Sequence, residues 1–190
     1  SMKSSDPQAG FAYESVPAAE ERGRDLTKKF EFVEIPEEQA VAFYGGSMPG
    51  RSDKSMFAIS LLMQMLAGDF SSILYKKLRD EMHLLYHVGF STDRADTFGT
   101  FAFSMHIAPE NIQRAIDTIR TEVAKAASGD IDEDQIQLAK TRIRAREIFS
   151  HQTVQSVAEN DATTTLLYPD LKHPDEWLER MMNVTKSEMI

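Results

Sequence analysis

The stretch that decides the fold is residues 68–90, which read GDFSSILYKKLRDEMHLLYHVGF. Its first half is rich in helix formers over Ser71–Glu81, and Asp69 or Ser71 is available to cap a helix there. In the second half Tyr86, Val88 and Phe90 alternate with smaller or polar residues, which is the period-two pattern of a strand. The stretch therefore predicts a helix that turns directly into a β-strand.

A hairpin and a buried helix are predicted before this stretch. β-branched and aromatic residues cluster at Lys28–Ile35 and at Ala40–Tyr44, on either side of the turn-like Pro36-Glu37-Glu38. The next segment, Lys54–Ala67, is apolar on nearly every side, as expected for a helix that is buried all round.

One strand and four helices are predicted after it. Phe101, Phe103 and Met105 show period-two spacing, and this strand is joined to the previous one near Arg94–Thr97. The predicted helices run from Pro109 to Gly129, from Asp132 to about His151, from Thr153 to Leu167, and from Pro174 to Asn183. Asp132 with Gln135 resembles a capping box. This order of elements indicates an α+β fold, with a mostly antiparallel β-sheet covered by helices.

The predicted domain covers residues 25–190. Residues 3–24 carry Pro, Gly and mixed charges without apolar periodicity and are predicted to be a linker. Ser1-Met2 resembles the remnant of a cleaved expression tag.

Composition excludes several classes of function. The formal net charge is −9, with 30 acidic against 21 basic residues, so nucleic acid is not an expected partner. There is no cysteine, which rules out thiolate catalysis and cysteine zinc sites. No apolar run approaches the ~20 residues of a membrane-spanning helix, so membrane insertion is not expected. The local basic group Lys140, Arg142, Arg144 and Arg146 is predicted to form a solvated helix surface rather than a docking patch.

Several segments, taken in order, carry a resemblance to a known family. They are Gly45–Gly50, Leu66–Gly68, Ser71–Glu81, Leu84–Val88, Ala108–Asn111 and Asp132–Lys140. Together they resemble the C-terminal, non-zinc domain of M16 peptidases, the pitrilysin or inverse-zincin family, over roughly residues 25–190. In that family two homologous halves close over a peptide, the first half carrying zinc on a His-x-x-Glu-His helix. The resemblance implies that this chain is the second half and is inactive by itself, with zinc held by a partner domain or subunit.

Arg79 and Tyr86 are the candidate catalytic residues that the resemblance implies. In related enzymes the matching Arg and Tyr donate hydrogen bonds to the substrate carbonyl beside the zinc. Both side chains are donors suited to an oxygen that becomes negative during hydrolysis. The structural alternative is that Arg79 pairs with Asp80, Glu81 or a carbonyl at the helix end, while Tyr86 packs on the sheet.

His83 and His87 superficially resemble a two-histidine zinc helix. His87 falls in a predicted strand, and Tyr86 stands where the inverse motif needs its glutamate, so no metal site is predicted in this chain. The family commonly has glycine at the position of His83, and the turn there is expected to need a left-handed conformation. Ser71 and Ser72 are interpreted as capping residues rather than nucleophiles.

Two functions follow as hypotheses. The first is the substrate-binding, chamber-completing half of a zinc endopeptidase that acts on peptides. The alternative is a non-proteolytic structural subunit with an M16-like fold, in which the Arg/Tyr pair would be vestigial. Plain peptide binding through an exposed sheet edge overlaps the first hypothesis.

Overall fold

One antiparallel sheet forms the centre of the domain. The structure is a computed structural model that describes residues 40–168, 170–171, 173 and 175–190. Its strands are β1 (Ala40–Pro49), β2 (Leu85–Arg94) and β3 (Phe98–Ile107), in the order β1-β3-β2. A short turn closes the β2–β3 hairpin, and in it the Ala95 N–H donates to the Phe98 carbonyl at 2.9 Å. The hairpin of β2 and β3 confirms the prediction, and β1 runs five residues beyond its predicted end at Tyr44 because it pairs with β3 up to Pro49. The predicted strand Lys28–Ile35 and linker 3–24 lie outside the described residues.

Helices cover the sheet. They are α1 (Met56–Ala67), α2 (Ile73–Tyr75) with a π-helical continuation (Lys76–Glu81), α3 (Ile112–Ala127), α4 (Glu133–Ser150), α5 (Val154–Leu167) and α6 (Asp175–Asn183). Short 3-10 turns, Pro109–Asn111 and Lys186–Glu188, lie before α3 and after α6. The predicted α+β fold class is confirmed, and α4 to α6 lie within one residue of their predicted bounds, whereas α3 begins three residues after Pro109, behind a 3-10 turn. None of the helices in the described part of the chain is long and apolar enough to span a membrane.

Two hydrophobic clusters share helix α1. The first packs Phe103 and Met105 of the sheet against α2, its π-helical continuation and α3, and it includes Leu66 of α1. The second packs Leu61 of α1 against α4, α6 and the residues after α6. Leu61 and Leu66 are 0% and 1% exposed. Because opposite sides of α1 enter different clusters, this helix is apolar all round, as the sequence predicts.

Helix α4 carries basic side chains that bind other elements of the same chain. Lys140 Nζ donates to a main-chain carbonyl just after α6 at 2.6 Å. Arg142 forms a 3.0 Å salt bridge with Asp69, and Arg146 donates to the Gly68 carbonyl at 3.4 Å. The prediction of a solvated surface is therefore wrong for Lys140 and Arg142, which are half-buried because the residues after α6 and the loop after α1 offer them acceptors. The arginines at positions 144 and 146 are exposed, as predicted.

Side chains cap the starts of α4 and α5. Asp132 caps α4 as predicted, but its carboxylate accepts from the Asp134 N–H at 3.1 Å, and not through a box with Gln135. Thr153 and Ser156 form a reciprocal capping box at the start of α5.

Candidate functional site

Arg79 lies in the π-helical segment that follows α2. The main chain closes more widely here than in an α-helix, since the Met82 N–H donates to the Lys77 carbonyl at 3.0 Å and the Leu84 N–H to the Leu78 carbonyl at 2.8 Å. The prediction of one regular helix over Ser71–Glu81 is wrong for its second half, Lys76–Glu81, which is π-helical. Leu78 and Leu84 are 0% and 5% exposed, so the wide turn lets both enter the core. Single π-helical turns are frequent at functional sites.

His83 makes the turn between this segment and β2. Its φ of +53° lies in the left-handed region, which confirms the predicted conformation. The Arg79 carbonyl accepts from the His83 N–H at 3.2 Å and lies 3.0 Å from its Nδ1. These two contacts offset the cost of a non-glycine residue in this conformation. They also fix the peptide group that carries the Arg79 side chain.

Tyr86 occupies a β-bulge at the start of β2. Leu85 pairs with Ile107 and His87 pairs with His106, so Tyr86 has no partner on β3. A bulge re-aims the side chain of its extra residue and is common next to active sites. Accordingly, Tyr86 is 69% exposed, whereas the adjacent Leu85 is 8% exposed.

The structure brings Arg79 and Tyr86 together at the surface. The Arg79 Cζ lies 5.6 Å from the centre of the Tyr86 ring and 4.9 Å from that of Tyr75, and its Nη1 donates to the Tyr75 hydroxyl. Tyr75 is 3% exposed, so it holds one end of the guanidinium from inside the core. The guanidinium also lies over the exposed Tyr86 ring, a favourable cation–π arrangement.

The structural alternative, in which Arg79 pairs with a carboxylate or carbonyl at the helix end and Tyr86 packs on the sheet, does not describe this pair. Glu81 pairs with Lys77 at 2.9 Å, and its hydrogen bond and charge raise the pKa of Lys77. Within the residues that the structure describes, no carboxylate lies within salt-bridge distance of Arg79. The Tyr86 ring projects from the sheet instead of packing on it. The catalytic role of both residues stays a prediction.

Two more aromatic residues, the buried Tyr75 and the exposed Phe70, lie beside the Arg79–Tyr86 pair and were not predicted from the sequence. Tyr75 stands four residues before Arg79, and this spacing puts two side chains on one helix face, so it was a usable signal. Phe70 is 72% exposed and packs edge-on against Tyr75, with ring centres 5.1 Å apart. No signal in the sequence distinguishes an exposed Phe from a buried one.

The histidine and serine residues take structural positions. His87 lies on strand β2 and faces His106 across the sheet at 6.2 Å, while His83 lies in the turn. Within the described ranges no three His, Asp or Glu side chains converge as metal ligands, so these residues do not fit a zinc ion. The predicted capping role is wrong for both serines: Ser72 occupies the N-cap position without a side-chain capping bond, and Ser71 donates to Asp69 at 2.9 Å through its N–H and its hydroxyl.

A cavity of about 760 Å³ lies away from the Arg79–Tyr86 pair. It opens at the start of α1 and is lined by acidic and basic side chains that include Arg51, Asp96 and Arg180. Neither Arg79 nor Tyr86 reaches it, so size alone does not mark the candidate site.

Comparison with known proteins defines the class of this domain. Residues 8–143 match the family model described as the peptidase M16 inactive domain. That match covers more than half of the chain. The chain therefore belongs to the peptidase M16 inactive-domain family, as the resemblance indicated.

Relatives at low identity agree with this assignment. An uncharacterized zinc protease of Streptomyces coelicolor is 23% identical over 178 residues, which is 91% of this chain and 38% of that protein. A zinc protease of Rickettsia felis is 22% identical over 135 residues, which is 71% of this chain and 32% of that protein. The chain thus spans about a third of the length of these curated relatives.

Solved structures share the fold. The peptidase M16 inactive domain from Pseudomonas fluorescens superposes with a TM-score of 0.71 at 16% identity, covering 83% of this chain and 38% of that one. A chain of Complex III2 from Candida albicans gives a TM-score of 0.67 at 11% identity, covering 82% of this chain and 39% of that one. At such identities these likenesses describe the fold alone.

Proposed function

We propose that this domain is the substrate-gripping half of a zinc endopeptidase that acts on peptides. In this proposal Arg79 and Tyr86 donate hydrogen bonds to the carbonyl of the bond being cut. Zinc and the general base come from a homologous domain, either fused to this chain or in a separate subunit. The described residues do not form a zinc site, so the chain alone is expected to have no peptidase activity.

The observation that carries the proposal is the outward-facing Arg79–Tyr86 pair. Three uncommon backbone features, a π-helical turn, a left-handed His83 and a bulge, lie between Lys76 and His87 around the pair. A left-handed residue other than glycine costs free energy and persists only where the surroundings enforce it, and such residues cluster at functional sites. Bulges and π-helical turns are also frequent near active sites.

The chemistry of the two groups suits an oxyanion. The Arg79 guanidinium carries several N–H donors and has some of them left over after the bond to Tyr75. The Tyr86 hydroxyl is a further donor on an exposed ring. Donors aimed at developing negative charge contribute most when closure of the site excludes water, which a second domain would do here.

The test is activity of the assembled enzyme, containing this chain and its zinc-bearing half. Arg79→Ala and Tyr86→Phe should each lower kcat/KM by about 10²–10³, the usual effect of removing one such donor. Arg120 and Tyr44 provide a matched control, because Arg120 Nε donates to the Tyr44 hydroxyl at 3.1 Å and stacks on its ring at 5.5 Å. Arg120→Ala and Tyr44→Phe should leave kcat/KM within about twofold of the wild type. Wild-type turnover in both site variants would remove the catalytic role.

A structural subunit is the second candidate, and one observation favours it. Arg79 already has a hydrogen-bond acceptor in Tyr75 and lies close to the rings of Tyr75 and Tyr86, so its guanidinium has partners without any substrate. The fold also occurs in a chain of Complex III2. An intact His-x-x-Glu-His motif in the remainder of the full-length protein or in its partner supports the peptidase. A degraded motif there supports the structural subunit.

A further inference from the structure

A small pocket, here called the Arg94 pocket, lies where the second half of β2 meets the helices. Side chains of α1, β2, α4 and α6 line it, together with Tyr168 just after α5. Its volume is about 280 Å³, the space of roughly nine water molecules. Neither Arg79 nor Tyr86 belongs to its lining, so the pocket is separate from the candidate catalytic pair.

Aromatic rings form the apolar walls of the Arg94 pocket. They belong to Phe90 of β2, to Tyr168 and to Trp177 of α6. The Trp177 ring packs against Phe57, with ring centres 6.2 Å apart, and Met181, which also lines the pocket, is 1% exposed. The α6 wall is therefore fixed in advance, and its rings offer a surface for the apolar part of a ligand.

Arg94 brings a half-buried guanidinium to this pocket. Its Nη1 donates to the Ser60 hydroxyl at 2.7 Å. Its Nε is buried and finds no hydrogen-bond acceptor in the described part of the chain, where no carboxylate lies within salt-bridge distance of Arg94 either. Burial lowers the pKa of Arg94, because the charged form loses solvation. A buried donor without an acceptor costs free energy, and an anion in the pocket would remove that cost.

The remaining charges of the pocket also favour an anion. Arg146 of α4 is a second guanidinium in the lining. Among the described residues that line the pocket, Glu147 carries the only carboxylate, and that group lies 3.7 Å from His151 Nδ1. Two guanidiniums against one carboxylate leave the pocket with an excess of positive charge.

We infer that the Arg94 pocket binds a small organic carboxylate with an aromatic or apolar body. The carboxylate accepts hydrogen bonds from the planar Arg94 guanidinium, and the body lies against the rings of Trp177 and Tyr168. Two sources share this chemistry. One is a simple aromatic acid, and the other is a free aromatic amino acid, whose ammonium group Glu147 can accept.

A fluorescence titration of the full chain tests the inference. Trp177 is the only tryptophan of the chain, so its emission reports occupancy of the pocket. Phenylacetate should give a saturable change, and phenylacetamide, which has the same shape but no charge, should bind at least about tenfold more weakly. Phenylacetate should also raise the thermal midpoint, because it binds the folded state. Tighter binding of L-phenylalanine than of phenylacetate would identify the amino acid as the source, and weaker binding would identify the simple acid.

Two variants assign the binding to Arg94. Arg94→Gln should weaken phenylacetate binding by about tenfold to a hundredfold and remove the discrimination against phenylacetamide. Arg180→Gln is the matched control, because it removes a positive charge from the helix that carries Trp177 but lies outside the pocket. It should keep the affinity within about twofold of the wild type.

The outcomes decide the inference without the zinc-bearing half, so they are independent of the catalytic role of Arg79 and Tyr86. Equal binding of phenylacetate and phenylacetamide to the wild type, or no response to either, refutes the carboxylate site. An equal loss of affinity in Arg94→Gln and Arg180→Gln refutes it as well. If the thermal midpoint shows that Arg94→Gln does not fold, the wild-type comparison of the two probes decides alone.

Discussion

At the scale of single residues, the environment of Arg79 separates it from an ordinary surface arginine. Its guanidinium is held between two tyrosines and has no carboxylate partner among the described residues. A carboxylate would neutralise the charge and occupy the N–H groups that a substrate oxygen needs. Tyr75 instead accepts one hydrogen bond and leaves the charge in place. We interpret Tyr75 as a residue that positions Arg79.

His83 allows a test of the turn that places this pair. His83→Val should lower the free energy of unfolding by about 1–2 kcal/mol, because a β-branched residue is strained at a φ of +53° and its side chain cannot bond to the Arg79 carbonyl. Urea denaturation of the purified chain measures this value. His87→Val is the control, since an exposed strand position accepts valine readily. Equal stability of the two variants would show that the turn is not strained.

At the scale of secondary structure, most elements were predictable because their apolar spacing is imposed by burial on one face. β3 follows period two and α3 follows helical spacing, since each has a core side and a solvent side, whereas the alternation predicted for β2 is broken at Tyr86. The π-helical turn and the bulge at Tyr86 were not predictable. Each adds about one residue to an otherwise regular element, and the surrounding packing, rather than local propensity, decides where that residue is accommodated.

The pair of glycines in β1 provides a prediction at this scale. A Cβ on Gly45 would overlap the Phe101 carbonyl oxygen and lie 2.8 Å from the Ala102 Cα, whereas one on Gly46 would lie 3.5 Å from the Phe101 ring, an ordinary contact. Gly45→Ala should therefore lower the free energy of unfolding by about 1–3 kcal/mol, because β1 must move away from β3. Gly46→Ala should leave it unchanged or raise it by up to about 1 kcal/mol. Chemical denaturation of both variants checks the difference, and an unaffected Gly45→Ala would mean that the two strands are not so close.

At the scale of the whole molecule, α1 joins the sheet layer to the outer helices because it is buried in both hydrophobic clusters. The Arg79–Tyr86 pair lies on the surface beside the sheet. The chain spans about a third of its curated relatives, which are zinc proteases. The pair was predictable from family resemblance, but its exposure and the support from Tyr75 depend on three-dimensional packing that no local pattern encodes.

The central claim is that Arg79 and Tyr86 act on the transition state of peptide hydrolysis. Its most direct test is a comparison of kcat and KM for Tyr86→Phe in the assembled enzyme, since this change removes one hydroxyl from an exposed ring. Transition-state stabilisation predicts that kcat falls by about 10²–10³ while KM stays within a few-fold of the wild type. An unchanged kcat, with or without a raised KM, would contradict the claim.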